Sequence, residues 1–303
     1  MTLWISLPTS IVPKASAMQE SQGVDPWYQR ICLAFGSNSD IDLATNKLRL
    51  PRVLDLETED FAASAIKRMF NSSGIAPDEM GVEMLIDCRS SAAIGGAAPT
   101  YKLAAKASLH KSLPFSLSGQ AGAEVGQAIN YLQNMQWDPT RLVVISAVQR
   151  VVPPDARFHP DNLPLGDAAA AICVAHFPMP FIKNFRILSV VSAQSENVTQ
   201  AKFDKVFKDL IEKSEINPAA IRWSILHCSN KVNNNYVKGA LPTTTWLSRR
   251  SFRSVDFGCA DVLISLQKIF EHAPTSLEGI GILWFLGKFG AIIAVAVDNK
   301  TLD

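Results

Sequence analysis

The spacing of apolar residues predicts alternating amphipathic helices and buried strands, and the same series occurs twice along the chain. In the first half, Phe61, Ala62, Ala65, Ile66, Met69 and Phe70 recur at helical spacing, and residues 74–80 lead into the apolar run Met84, Leu85 and Ile86. In the second half, Phe203, Val206, Phe207, Leu210 and Ile211 repeat the helix, and residues 215–221 lead into Ile225 and Leu226. Each lead-in carries Ile-x-Pro-x-x-Met/Ile, at an offset of 141 residues from Pro77 to Pro218. Ala123-Glu124-Val125 then opens a helix through Ala128, Ile129 and Leu132, matched at an offset of 137 by Ala260-Asp261-Val262 and Ile264, Leu266 and Ile269. Strand-like runs follow at Leu142 and Ile282, then two glycine-led strands from Gly166 and Gly290. The pattern predicts an α/β protein of two similar βαβ-rich halves packed about a pseudo-two-fold axis, with sheets covered by helices. Two prolines in Phe177-Pro178-Met179-Pro180 interrupt it, which places the halves at 1–177 and 178–303.

Composition narrows the setting. The 303 residues are enough for a sizeable core, and 48% hydrophobic against 19% charged residues excludes an intrinsically disordered chain. The 29 basic and 28 acidic residues leave a net charge of +1, which gives no footprint for nucleic acid or an anionic membrane. Five scattered cysteines with no Cys-x-x-Cys pair suggest neither a disulfide framework nor a zinc site, and fit a reducing cytoplasm. The first residues lack the basic and apolar regions of a secretory signal. The most apolar stretch, 279–297, contains Lys288 between Gly287 and Gly290, so it reads as a buried hairpin and not a membrane span. Residues 30–52 carry little periodicity and read as a loop over a pocket or against a partner.

Three segments could carry chemistry. Ser118-Gly119-Gln120-Ala121-Gly122 is a small-residue turn that presents Gln120 at a helix start, either as a site group or as a bystander amide in an ordinary turn. His227 closes the strand ending at Leu226, as a proton-moving or donating group or as a satisfied core histidine. Asp256, just before the second half's helix, is the counterpart of the Gln120 turn.

In order along the chain with Gly166-Asp167-Ala168-Ala169, these segments resemble the thiolase superfamily, in particular its ketoacyl synthase III branch. The resemblance implies a layered α-β-α-β-α fold, a nucleophilic cysteine in Cys-x-Gly, a histidine in His-x-x-Asn, a second asparagine before the last helix, and a glycine-rich terminal hairpin. His227-Cys228-Ser229-Asn230 fits the histidine motif, and Gly287 and Gly290 fit the hairpin. Gln120-Ala121-Gly122 stands at the Cys-x-Gly position, so the family's thiolate is absent, and Asp256 stands where the family has Asn. A carboxamide can neither ionise to a nucleophile nor leave as a thiolate, so ping-pong condensation by the family's route is not expected. Gly122, Asn230, Gly287 and Gly290 are then pocket or oxyanion candidates, and Cys259 is the candidate for a relocated nucleophile. Arg249, Arg250 and Arg253 are a weak candidate patch for an acidic carrier protein.

Two functions follow from the resemblance. One is a catalytically degenerate subunit of a fatty acid or polyketide system, of the chain-length-factor kind. It would pair with an active ketosynthase as a heterodimer, or with itself, shape the acyl pocket and help to dock acyl carrier protein. The other is a ketosynthase-like decarboxylase converting malonyl-carrier protein to acetyl-carrier protein, or another acyltransferase with a relocated nucleophile. Both act on acyl thioesters, and neither calls for a metal or other cofactor.

Overall fold

The fold is described from a computed structural model for residues 2–13, 15–17, 49–51, 56–73, 81–90, 99–120, 122–150, 165–180, 183–194, 199–227, 235, 239, 241, 244–249, 255–287 and 290–299. Among the described residues thirteen strands run in chain order: β1 (Leu3–Ser6), β2 (Thr9–Ile11), β3 (Ala15–Ala17), β4 (Arg49–Pro51), β5 (Val82–Arg89), β6 (Leu113–Ser118), β7 (Leu142–Gln149), β8 (Ala168–Ala175), β9 (Asn184–Ala193), β10 (Ile221–Leu226), β11 (Thr245–Leu247), β12 (Ile280–Leu286) and β13 (Ile292–Asp298). The main helices are α1 (Thr58–Ser73), α2 (Pro99–Lys106), α3 (Glu124–Asn134), α4 (Gln200–Ser214) and α5 (Asp261–His272).

Strand order reveals the duplication. Among the described residues one eleven-stranded sheet runs β11-β10-β12-β13-β9-β1-β8-β7-β5-β6, with β2 also paired to β8. If β1, β5, β6, β7 and β8 are counted as strands 1 to 5 of the first half, their spatial order is 3-2-4-5-1. The second half's β9 to β13 repeat that order, and antiparallel pairing of β1 with β9 joins the two into one sheet. In each half the last strand is antiparallel to its neighbour, as β8 is to β7 and β13 is to β12. The predicted hairpin is β12–β13, with Leu286 opposite Ile292. No described helix is long and apolar enough to cross a membrane.

The layers follow from which faces are apolar. Strands β7, β8 and β13 are buried at every position, as strands covered on both sides must be. In β8, Ala168 and Ala170 face one core cluster while Ala169 and Ala171 face another, and these small side chains let helices approach on both sides. Helices α1 and α2 cover the outer face of the first half, and α4 packs on β9 and β13 of the second. Helix α3 touches β5 and β7 of its own half and β9, β12 and β13 of the other. Helix α5 touches β10 and β12 and also β2 and β8. These two helices, the predicted counterparts at Ala123 and Ala260, form the middle layer, and the order is helix, sheet, helix, sheet, helix.

Candidate active site

The site lies where the turns before α3 and α5 meet strand ends of the opposite half. Chain reversal after β6 uses Gly119 at φ +92° and Gly122 at φ +137°. At Gly122 the constraint is also steric. A Cβ there would lie 2.3 Å from Cε1 of His227 and 2.4 Å from the Leu286 carbonyl oxygen, so the second half presses directly on this turn. The turn is held from within by Glu124, which is fully buried. Its Oε1 accepts from the Gln120 backbone N–H at 2.9 Å and its Oε2 from that of Gly122 at 2.8 Å. The backbone donors of this turn could hold an external anion, but a carboxylate of the chain already takes two of them. The second half mirrors this, since Asp261 Oδ2 accepts from the Phe257 N–H at 3.1 Å.

His227 continues the parallel pairing of β10 with β12, its backbone N–H donating to the Trp284 carbonyl at 3.0 Å. Its side chain is 1% exposed. Nδ1 lies 2.7 Å from the Leu286 carbonyl oxygen and Nε2 2.9 Å from Asp256 Oδ1. A carbonyl and a carboxylate oxygen only accept, so both ring nitrogens must carry hydrogen and the ring is an imidazolium. Burial alone lowers the histidine's pKa. The Asp256 carboxylate, supported by Asp261 and the Leu286 carbonyl, outweighs burial and raises the pKa to about 9.

Asp256 is held in turn. Its Oδ1 also accepts from the Gly258 N–H at 2.7 Å, and its backbone carbonyl accepts from the Gly166 N–H at 2.9 Å. Asp261 pairs with Arg249 Nη1 at 2.9 Å. The arginine also donates to Ser265 Oγ and to the Val255 carbonyl, and its guanidinium lies 4.9 Å from the Phe257 ring centre. Two carboxylates therefore face two cations in a closed interior network. His227, Asp256 and Asp261 place potential metal-ligating atoms within 4.8 Å of one another, but the protons and the arginine charge just described already occupy them.

The other expected site residues fall in different places. Gln120 is half-buried, and its Oε1 is buried with no hydrogen-bond partner among the described residues. It lines a cavity of about 370 Å³ with Leu117, Gln127, Tyr131 and Ser192, to which neither His227 nor Asp256 contributes. Gly287 backs onto the Gln120 turn, where a Cβ would lie 2.4 Å from the Gln120 carbonyl oxygen. Its N–H donates to the Ala291 carbonyl at 2.9 Å, and the Gly290 N–H donates to the Gly287 carbonyl at 3.2 Å. Asn230, Arg250 and Arg253 lie outside the described residues.

Two expectations need correction. Arg249 does not sit on a docking face. It is 3% exposed and locked in the interior network. Cys259 is fully buried, with its thiol directed at the carbonyl oxygens of Cys88 and Val148 at 3.3 and 3.4 Å. Burial and the nearby Glu124 charge push its pKa well above the usual thiol range, an environment opposed to a nucleophilic thiolate. Sequence reasoning missed the roles of Glu124 and Asp261. Their signal was present in the repeated Ala-Glu-Val and Ala-Asp-Val, each acid four residues after the backbone N–H it captures.

Two halves of identical strand order, sharing a pair of central helices whose starts meet the opposing strand ends, define the thiolase-like fold. Solved structures agree over the whole chain. One is ChlB3, described as an acyltransferase, at TM-score 0.73 and 15% identity, covering 99% of this chain and 98% of that one. Another is 3-oxoacyl-(acyl carrier protein) synthase III of Pseudomonas aeruginosa, at TM-score 0.69 and 15% identity, covering 100% of both chains. A third is OleA of Xanthomonas campestris with bound lauric acid and lauroyl-CoA, at TM-score 0.71 and 12% identity, covering 98% of this chain and 99% of that one. No protein-family model and no curated protein matches the sequence. At these identities the likeness is one of fold.

Proposed function

We propose that this chain is a catalytically degenerate ketosynthase-like subunit of a cytoplasmic fatty acid or polyketide system. It pairs with an active ketosynthase, helps to shape the acyl pocket and contributes to docking acyl carrier protein. The observation that carries this reading is the commitment of the backbone donors and ring nitrogens described at the site. Position 120 offers no thiol. The N–H groups of Gln120 and Gly122 bind Glu124, both nitrogens of His227 bind Leu286 and Asp256, and the Gly287 N–H binds Ala291. A developing thioester oxyanion or enolate would need some of these donors free. The same commitments count against the decarboxylase alternative, which depends on stabilising an enolate.

Pairing is supported by the edge of the sheet. The outermost strand β6 exposes Leu113 at 61% and Phe115 at 46%. Helices α2 and α3 flank it and expose Tyr101 and Tyr131, so four of the six exposed large apolar residues among those described lie on β6 or its flanking helices. An unpaired apolar edge strand is a surface that a second chain normally covers. The test is co-expression with a ketosynthase that retains Cys-x-Gly, followed by assay with malonyl-carrier protein. A stable mixed complex, with condensation that depends on the partner, is expected. Acetyl-carrier product from this chain alone would overturn the proposal.

A further inference from the structure

The cavity beside Gln120 has two unlike walls. One is apolar, with Leu117 from β6 and Ala291 and Ile293 around the start of β13. The other runs from the Gln120 turn along α3, where Glu124, Gln127 and Tyr131 fall three and four residues apart and so share one helix face. This second wall is polar but has few partners of its own. Gln120 Oε1 is buried without a hydrogen bond, and among the described residues the side chains of Gln127 and Tyr131 have none either. Glu124 is the one charged residue among the described lining, and its carboxylate oxygens accept the N–H groups of Gln120 and Gly122.

These groups select by chemistry. A saturated chain laid on the α3 wall would take the Gln120 and Gln127 amides out of water and give them no partner. A carboxylate would meet the Glu124 charge with no cation of the described lining beside it. A hydroxyl both donates and accepts, so it can pair with Gln120 or Gln127 whichever way either amide is turned, while the rest of its chain lies on the apolar wall. At about 370 Å³ the space falls within the range of small-ligand sites. We propose that this cavity holds an uncharged, hydroxylated acyl chain in preference to a saturated chain or one that ends in a carboxylate. That the occupant is an acyl chain rests on the function above; its hydroxyl and its lack of charge rest on the lining.

The full chain, labelled with nitrogen-15 in glutamine, is titrated with methyl hexanoate, racemic methyl 3-hydroxyhexanoate and monomethyl adipate. The side-chain amide signals of Gln120 and Gln127 are read, with Gln120→Met and Gln127→Met to assign them. The hydroxy ester should shift both signals and bind more tightly than methyl hexanoate by about fivefold, the worth of one neutral hydrogen bond, and by no less than about twofold. Monomethyl adipate should bind most weakly. A merely apolar cleft gives the opposite order, because the hydroxyl then leaves water unpaired. In Gln127→Met the preference for the hydroxy ester should shrink or reverse while methyl hexanoate still binds. A preference below about twofold in the unsubstituted chain, adipate binding as tight as that of the hydroxy ester, or unmoved signals at both amides overturns the proposal. The same titration of a mixed complex with a ketosynthase separates an acyl chain from a partner side chain as the occupant. There the hydroxy ester should still reach both amides, and its exclusion overturns the proposal. Failure to form that complex, or turnover of malonyl-carrier protein by this chain alone, counts against the function proposed above and leaves the order of the esters standing.

Discussion

Raising the pH should weaken this protein through His227, by an amount the structure sets. In an unfolded chain the imidazole titrates near 6.5, whereas in the folded chain the Asp256 carboxylate holds its pKa at about 9. A group whose folded pKa is raised contributes its full stabilisation below the unfolded value, and that contribution is lost as pH rises through the folded value. The window is therefore 6.5 to 9. At about 1.4 kcal/mol per unit the contribution is about 3 kcal/mol, present at pH 6 and nearly gone at pH 9.5. Because ordinary surface groups also titrate in this range, the informative quantity is a difference between two chains. Urea unfolding would be followed by tryptophan fluorescence at half-unit intervals from pH 6 to 9.5 for the unsubstituted protein and for Asp256→Asn. In the variant the buried imidazole has no counter-charge and should already be neutral at pH 7, so its stability should fall less over the window by about 3 kcal/mol. Parallel curves for the two chains between pH 6.5 and 9 would refute the ion pair as described.

Three further variants follow from the geometry. Gly122→Ala should cost about 3 kcal/mol in thermal or chemical unfolding, because its Cβ would enter space held by His227 and the Leu286 carbonyl and the backbone lies at φ +137°. Arg249→Met should cost about 3–5 kcal/mol by the same measurement, since it leaves Asp261 buried beside Asp256 without its cation. Leu113→Lys combined with Phe115→Lys should abolish pairing in sedimentation velocity while changing the unfolding free energy of the separated chain by less than about 0.5 kcal/mol per site, because both side chains are exposed on β6.

The duplicated helices and the later strands of each half were legible because their apolar residues follow a clear period and recur in register. Phe61 to Phe70 and Phe203 to Ile211 became α1 and α4, and Ala123 and Ala260 immediately precede α3 and α5. The strands that join the halves were not legible. β1 is four residues long before Leu7 and Pro8, and β9, which pairs on both sides where the two halves join, mixes buried, half-buried and exposed positions with no clear period. At the site, Gln120, His227 and Asp256 stood out by residue type and place. Their relation did not, because the approach of His227 to Gly122 depends on how the halves pack, and that of Asp256 to His227 on how the segment before α5 folds back against the end of β10. Arg249 illustrates the same limit. Beside Arg250 it reads as part of a basic surface, and its burial rests on partners brought together by the fold, Asp261, Ser265 and the Val255 carbonyl. Cys259 was ambiguous for a similar reason, since a thiol's reactivity is decided by its surroundings.

As a degenerate subunit, this thiolase-like chain should carry no acyl group through a nucleophile of its own. Intact-mass spectrometry of the purified protein after incubation with acetyl-, malonyl- and lauroyl-CoA tests it directly. An unchanged mass is expected with each thioester. A stoichiometric acyl adduct that hydroxylamine removes would contradict it.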